Sequence, residues 1–310
     1  MTIHFAATID DAVAATGEYR AGGTDLQERL HADPSPRPIV DVSRVEGLTG
    51  IDHTDEETTI GALTTIAVVA ADLAGSHPAV AQTAAGLATP QIRSVATIGG
   101  NLTQRTRCWY FRHPALSCFK TGGDGCPARD GDHRLGVVFD RGPCVHPHPS
   151  SVGMALLACD ADVSVTGRGR MPVAQLWGDG SDPHHDHQLT DGELLTHVHL
   201  PAAWPGERAA YFRAISRFEA EWPLVEAVAR VAVDDGLVTR AAVAVGGVAT
   251  VPLRLPAVES ALVDRAATAD VLAAAARVAT DGVSPLPLTG YKVELLEACV
   301  LEVLERATAL

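Results

Sequence analysis

Four cysteines, Cys108, Cys118, Cys126 and Cys144, share one loop-like stretch of the chain. Thiolates are soft donors that suit zinc and iron–sulfur clusters. The spacing matches neither the paired Cys-x-x-Cys of a zinc ribbon nor the ferredoxin run. By count alone, four thiolates serve a tetrahedral zinc or a four-iron, four-sulfur (4Fe-4S) cluster equally well, and free or disulfide-bonded cysteines remain a third reading. Trp109, Tyr110, Phe111 and Phe119 lie between the cysteines, where apolar rings limit solvent access and tune a metal's potential. Gly122, Gly123 and Gly125 follow, and a long glycine-rich loop calls for something to order it. His146 and His148 are further donors, made unnecessary by four thiols.

Two glycine pairs offer different chemistry. One lies in Ala21-Gly22-Gly23-Thr24-Asp25-Leu26, the other in Thr97-Ile98-Gly99-Gly100-Asn101-Leu102, at what reads as the exit from a strand. Glycine leaves backbone N–H groups unshielded, so such turns face anions readily. Two of them can approach a pyrophosphate from two directions, with Thr24, Thr97 and Asn101 adding hydrogen bonds. No Gly-x-Gly-x-x-Gly follows a strand, so the Rossmann fingerprint is missing. Neither a Ser-His-Asp pattern nor His-Glu-x-x-His appears. Cys159 and Cys299 sit in apolar stretches and read as small buried hydrophobes.

The elements that must position these groups follow from periodicity and punctuation. Residues 9–17 predict a helix capped by Asp10 or Asp11, and Pro34, Pro36 and Pro38 mark a loop. Strands are expected over 39–42, 48–51 and 58–60, then apolar helices over 64–73 and 78–87. A helix over 150–159 precedes a strand over 162–166. The His-rich segment 178–192 reads as a solvated surface loop. Strands at 198–201, 210–215 and 238–248 follow. Residues 224–233 are ambiguous between helix and strand, and helices close the chain over 268–280 and 291–307. At 310 residues the chain suggests two or three domains. A net charge of −14 argues against a nucleic-acid surface. No apolar run approaches the roughly 20 residues of a membrane helix, and Met1-Thr2-Ile3-His4-Phe5 lacks the basic and apolar regions of a signal peptide. A cytoplasmic protein is expected, or a periplasmic one if a signal-bearing partner exports it.

The two glycine loops resemble the flavin-binding loops of the medium, FAD-binding subunits of molybdenum hydroxylases. The run from Asn101 through Gln104-Arg105-Thr106-Arg107-Cys108 to Phe111 is similar to a narrower branch, the periplasmic aldehyde oxidoreductase type, whose FAD subunit carries an additional 4Fe-4S cluster. Cys118-Phe119-Lys120, Gly125-Cys126 and Cys144-Val145 fit its remaining ligand positions. Ala244 to Ala249 and Gly290-Tyr291-Lys292 match the family's C-terminal signatures.

The resemblance implies an α+β fold. A two-subdomain FAD-binding domain of the vanillyl-alcohol-oxidase (PCMH) kind would span 1–190, divided at 50/51, with an iron–sulfur insertion at 104–146. A C-terminal α+β domain of the CO dehydrogenase flavoprotein type would span 191–310. It implies FAD on Ala21, Gly22, Gly23, Thr24, Asp25 and Leu26, on Thr97, Ile98, Gly99, Gly100 and Asn101, and on Gln104. It places Ser151, where relatives usually carry Asp, and Arg213, where they usually carry Lys, beside the flavin. A cation at Arg213 would stabilise negative charge on the reduced flavin pyrimidine. Cys108, Cys118, Cys126 and Cys144 would hold the cluster. Partners would be a molybdenum-cofactor large subunit and a small subunit with two-iron (2Fe-2S) clusters. Electrons would leave through FAD to an external acceptor. No stretch resembles a molybdopterin site, so the chain would hydroxylate nothing alone. A stand-alone flavin oxidoreductase and a metal-stapled scaffold without flavin are the competing readings.

Overall fold

The computed structural model describes residues 2–32, 37–217 and 221–309, so the loop expected at Pro34 and Pro36 lies outside the described residues. Three sheets organise the chain. The first holds β1 (Ile3–Phe5), β2 (Glu18–Arg20) and β3 (Ile39–Asp41), parallel, with β3 in the middle. Helices Ile9–Ala14 and Leu26–Ala32 make the crossovers that parallel strands require. Thr8, not Asp10 or Asp11, caps the first helix: its hydroxyl accepts from Asp11 N at 3.1 Å. Asp11 instead accepts from Ala7 N.

The second sheet holds β4 (Ile51–His53), β5 (Glu57–Gly61), β6 (Asp162–Val165), β7 (Gly169–Pro172) and β8 (Leu195–Pro201) in the antiparallel order β4-β5-β8-β6-β7. β8 follows the domain boundary expected at 190/191 and is hydrogen-bonded to β5 and β6.

The third sheet is an antiparallel meander of β9 (Glu207–Ala214), β10 (Val225–Asp234), β11 (Leu237–Gly246) and β12 (Leu253–Arg254). The ambiguous run at 224–233 is β10. Helix Tyr291–Thr308 and helix Ser151–Ala158 both pack against it, and its first eight residues are buried. Burial on both faces removes the in-out alternation of a half-exposed strand, and Glu226 and Arg230 interrupt the apolar run, so no single period stands out.

One apolar core runs through the second and third sheets, and a smaller one lies under the first. Cys159 and Cys299 are buried in the large core, where burial pushes both thiols up to about 12. The cysteine stretch adds only short turns, helices Trp109–Arg112 and Pro127–Asp130 and a 3-10 turn Phe119–Thr121, around a small core of Ala128, Val137 and Val145. Buried Lys292 ties this stretch to the third sheet. Its Nζ donates to Leu135 O at 3.1 Å and Gly247 O at 3.0 Å. Among the described residues no helix is long and apolar enough to cross a membrane.

Candidate functional site

Gly22 packs the first glycine loop onto the backbone just before the second. A Cβ at Gly22 would lie 1.9 Å from Val95 O, so only glycine permits the approach. Gly23 turns through φ +70°, a left-handed conformation that favours glycine. Among the described residues, the backbone N–H groups of Gly22, Gly23 and Thr24 meet no protein acceptor. Asp25 follows, and its carboxylate gathers the arginines of the cysteine stretch. It accepts from Arg105 N at 3.0 Å and Arg112 Nη2 at 2.6 Å, and pairs with Arg107 Nη1 at 2.9 Å and Arg29 Nε at 3.2 Å. Burial alone would raise this carboxyl, but the Arg107, Arg112 and Arg29 guanidiniums hold it below its ordinary value.

The second pair is not a strand exit. Thr97 caps a short helix, Ile98–Leu102, and its hydroxyl accepts from Gly100 N at 3.2 Å. Gly99 N donates to Ala62 O at 2.8 Å, and a Cβ on Gly99 would lie 2.9 Å from that same oxygen. Ile98 is core. Asn101 Oδ1 accepts from Ser150 Oγ at 2.7 Å.

Between the two loops lies a cavity of about 910 Å3, in the upper range of ligand pockets. Ala21, Gly22, Gly23, Thr24, Asp25, Leu26, Thr97, Gly99, Gly100 and Gln104 line it, whereas Ile98, Asn101, Ser151 and Arg213 do not. Its far wall comes from the cysteine stretch, including Phe111, Arg112 and Lys120, and from the segment 185–195. That segment is not simply a solvated loop. Asp186 is buried, accepts from Arg105 Nε at 2.8 Å and Thr106 N at 3.2 Å, and pairs with Lys120 Nζ at 3.1 Å. Burial would raise Asp186, yet Lys120 and Arg105 hold it far below the usual carboxylate range. Sequence reading missed Asp186, Lys120 and Arg112. The signal available was the cluster of arginines at 105, 107 and 112, which needs carboxylate partners from elsewhere in the chain.

Cys108, Cys118, Cys126 and Cys144 all line a second, smaller cavity of about 20 Å3, with Tyr110, Phe111, Phe119, Pro127, Ala128 and His146 around them. All four are free thiols. Burial pushes Cys108 up to about 11 and raises Cys144, with Lys120 opposing the second shift. His146 reaches the cavity too, but burial lowers it to about 4, and its Nδ1 lies 3.0 Å from Thr106 Oγ1. His148 does not line it and packs on Trp177. Among the described residues no three His, Cys, Asp or Glu side chains stand ready to hold a single metal ion. Phe111 and Lys120 line both cavities and form the partition between them.

Ser151 and Arg213 meet elsewhere. Ser151 is fully buried at the start of its helix beside the Glu226–Tyr211 pair, and Arg213 is the β9 partner of Glu226 in register. Tyr211 OH donates to Glu226 Oε2 at 2.8 Å, and burial raises Glu226 to about 7.

With this geometry in view, residues 1–203 match the family described as the FAD binding domain in molybdopterin dehydrogenase, and residues 210–307 match the CO dehydrogenase flavoprotein C-terminal domain. The chain belongs to this family of FAD-binding oxidoreductase subunits. It is 33% identical to the aldehyde oxidoreductase FAD-binding subunit PaoB of Escherichia coli K12, over 94% of this chain and 92% of that one. It is 28% identical to the 6-hydroxypseudooxynicotine dehydrogenase complex subunit alpha of Paenarthrobacter nicotinovorans, over 93% and 84%. The fold matches a chain of reconstituted CO dehydrogenase from Oligotropha carboxidovorans with a TM-score of 0.76 at 23% identity, covering 99% of this chain and 97% of that chain.

Proposed function

We propose that this chain is the FAD- and 4Fe-4S-carrying electron-transfer subunit of a molybdenum hydroxylase. A large molybdenum-cofactor subunit would oxidise the substrate, and a small 2Fe-2S subunit would relay electrons. When bound, FAD would supply the exchange of electrons between those partners and an external acceptor, and the 4Fe-4S cluster a one-electron site beside it.

The observation that carries this reading is the shared wall. A glycine-lined cavity and a four-thiol cavity stand back to back across Phe111 and Lys120. The residues present suit both groups. The open N–H groups of Gly22, Gly23 and Thr24 suit a diphosphate, and Gly100 keeps side-chain bulk out of the cavity. Four thiols with aromatic and apolar neighbours suit a cluster. The space among the thiols is near that of one water. Zinc would require the thiolates to stand about 2.3 Å from one centre, an arrangement not found among the described residues. The all-thiol donor set and the Gln-Arg-Thr-Arg-Cys resemblance favour the cluster. Metal loading would displace protons from Cys108 and Cys144, whose thiols burial raises. The complex would reside in the cytoplasm, or in the periplasm with an exported partner.

Anaerobic purification with absorption spectroscopy and metal analysis tests this. One flavin and about four irons per chain are expected. Stoichiometric zinc would remove the cluster from the proposal, and a colourless iron-free and flavin-free chain would overturn all of it.

A further inference from the structure

We infer that Lys120 supplies the positive charge that sets how readily the four-thiol site takes up an electron. The inference rests on the 4Fe-4S reading above and adds to it a residue that tunes the cluster without ligating it. Lys120 sits in the 3-10 turn Phe119–Thr121, which starts immediately after Cys118. That turn is closed by its own hydrogen bonds. Cys118 N donates to Thr121 Oγ1 at 2.8 Å, and Thr121 N donates to Cys118 O at 2.9 Å. The lysine is thus held two residues from a thiol by a closed piece of backbone. Its side chain is only 5% exposed, and it lines both cavities.

The thiols aside, Lys120 is the one charged side chain among the described residues that line the four-thiol cavity. His146 is the other base there, and burial keeps it neutral. The ammonium is anchored by its Nζ, which pairs with Asp186 at 3.1 Å and donates to His185 O at 3.0 Å. Asp186 also pairs with Arg105 Nε at 2.8 Å, so one buried carboxylate is shared by two cations. The trio keeps one positive charge in excess, and Asp186 fixes Lys120 in place without cancelling it. At Cys144 the attraction of Lys120 for a thiolate outweighs the repulsion from Asp186.

Thiolates carry negative charge into a cavity largely shielded from water, and a further electron adds to it. Net charge, hydrogen bonding and exposure set the potential of such a site. A cation already fixed at the wall favours the added electron without having to reorganise. Its effect is large because the surrounding dielectric is low. Lys120 also faces the glycine-lined cavity, so an electron on either side of the partition meets the same positive charge.

The test is a potentiometric titration of the full chain, purified anaerobically with its metal and followed by electron paramagnetic resonance. Lys120→Gln removes the charge and keeps an amide able to donate to Asp186. The ratio of electron-loaded to empty sites at a fixed ambient potential is expected to fall about tenfold, which is about 59 mV for a one-electron couple. Lys120→Arg keeps the charge and should stay near wild type, with iron content unchanged in both variants. An unchanged potential in Lys120→Gln overturns the assignment. An equal fall in Lys120→Arg overturns it too, because the role is then structural. If Lys120→Gln does not retain iron, Asp186→Asn decides by the opposite sign. It leaves Lys120 and Arg105 uncompensated and should raise the potential, and a fall or no change refutes the inference. Metal analysis before the titration separates the two readings. A wild-type chain without iron removes the cluster reading and this assignment with it, whereas an iron-loaded chain indifferent to Lys120 defeats this assignment alone.

Discussion

Among the described residues the N–H groups of Gly22 and Gly23 have no protein acceptor, whereas Gly99 and Gly100 donate theirs to Ala62 O and to the Thr97 hydroxyl. The two pairs look alike in sequence, and glycine is required for different reasons. At Gly22 a side chain would collide with the Val95 backbone, and at Gly23 the backbone is left-handed. At Gly99 the constraint is packing against Ala62, and at Gly100 a Cβ would meet only the Thr97 hydroxyl, at 3.1 Å. The first loop therefore offers unpaired donors and the second is a close-packed floor. Their side chains differ accordingly. Asp25 ties the first loop to the cysteine stretch, and Thr97 is a local helix cap.

The largest effect expected is at Asp25. Asp25→Asn leaves Arg29, Arg107 and Arg112 without their shared carboxylate, and breaking a buried ion pair from one side costs about 3 kcal/mol or more. The sign with pH is fixed by the lowered carboxyl. Its stabilisation is complete above the unfolded value of about 3.9 and disappears as pH falls through the lower folded value. Denaturant unfolding should show wild type losing this contribution in acid and the variant lacking it throughout. Equal stability at neutral pH would mean that Asp25 does not join the two regions.

Gly22→Ala comes next. Overpacking against backbone costs roughly 1–3 kcal/mol, and separating the loops should also reduce flavin content, read by absorbance after gel filtration. Full flavin occupancy in a stable variant would remove the contrast between the loops.

The smallest effect on folding is expected from Gly100→Ala, within about 1 kcal/mol, because alanine suits a helical turn better than glycine. Its methyl group would enter the cavity, so FAD affinity should still fall. A stability loss exceeding that of Gly22→Ala would show that the second loop is the more constrained.

Local chemistry made much of this protein legible from the chain alone. The two glycine pairs are fixed by residue type and spacing, and they point to the FAD-binding family to which the chain belongs. Helices such as Ile66–Asp72 and Tyr291–Thr308 followed from periodicity. Tertiary structure decided the remainder, because the partners lie far apart in the chain. Asp186 looks solvated in a polar segment, and only folding sets it between Arg105 and Lys120. Likewise only folding sets β8 between β5 and β6. Ser151 and Arg213 came together around Glu226 rather than on the large cavity, since the register of β9 on β10 fixes where Arg213 stands. Sequence determined which groups are available. Burial and strand register, which no local period encodes, determined which of them meet.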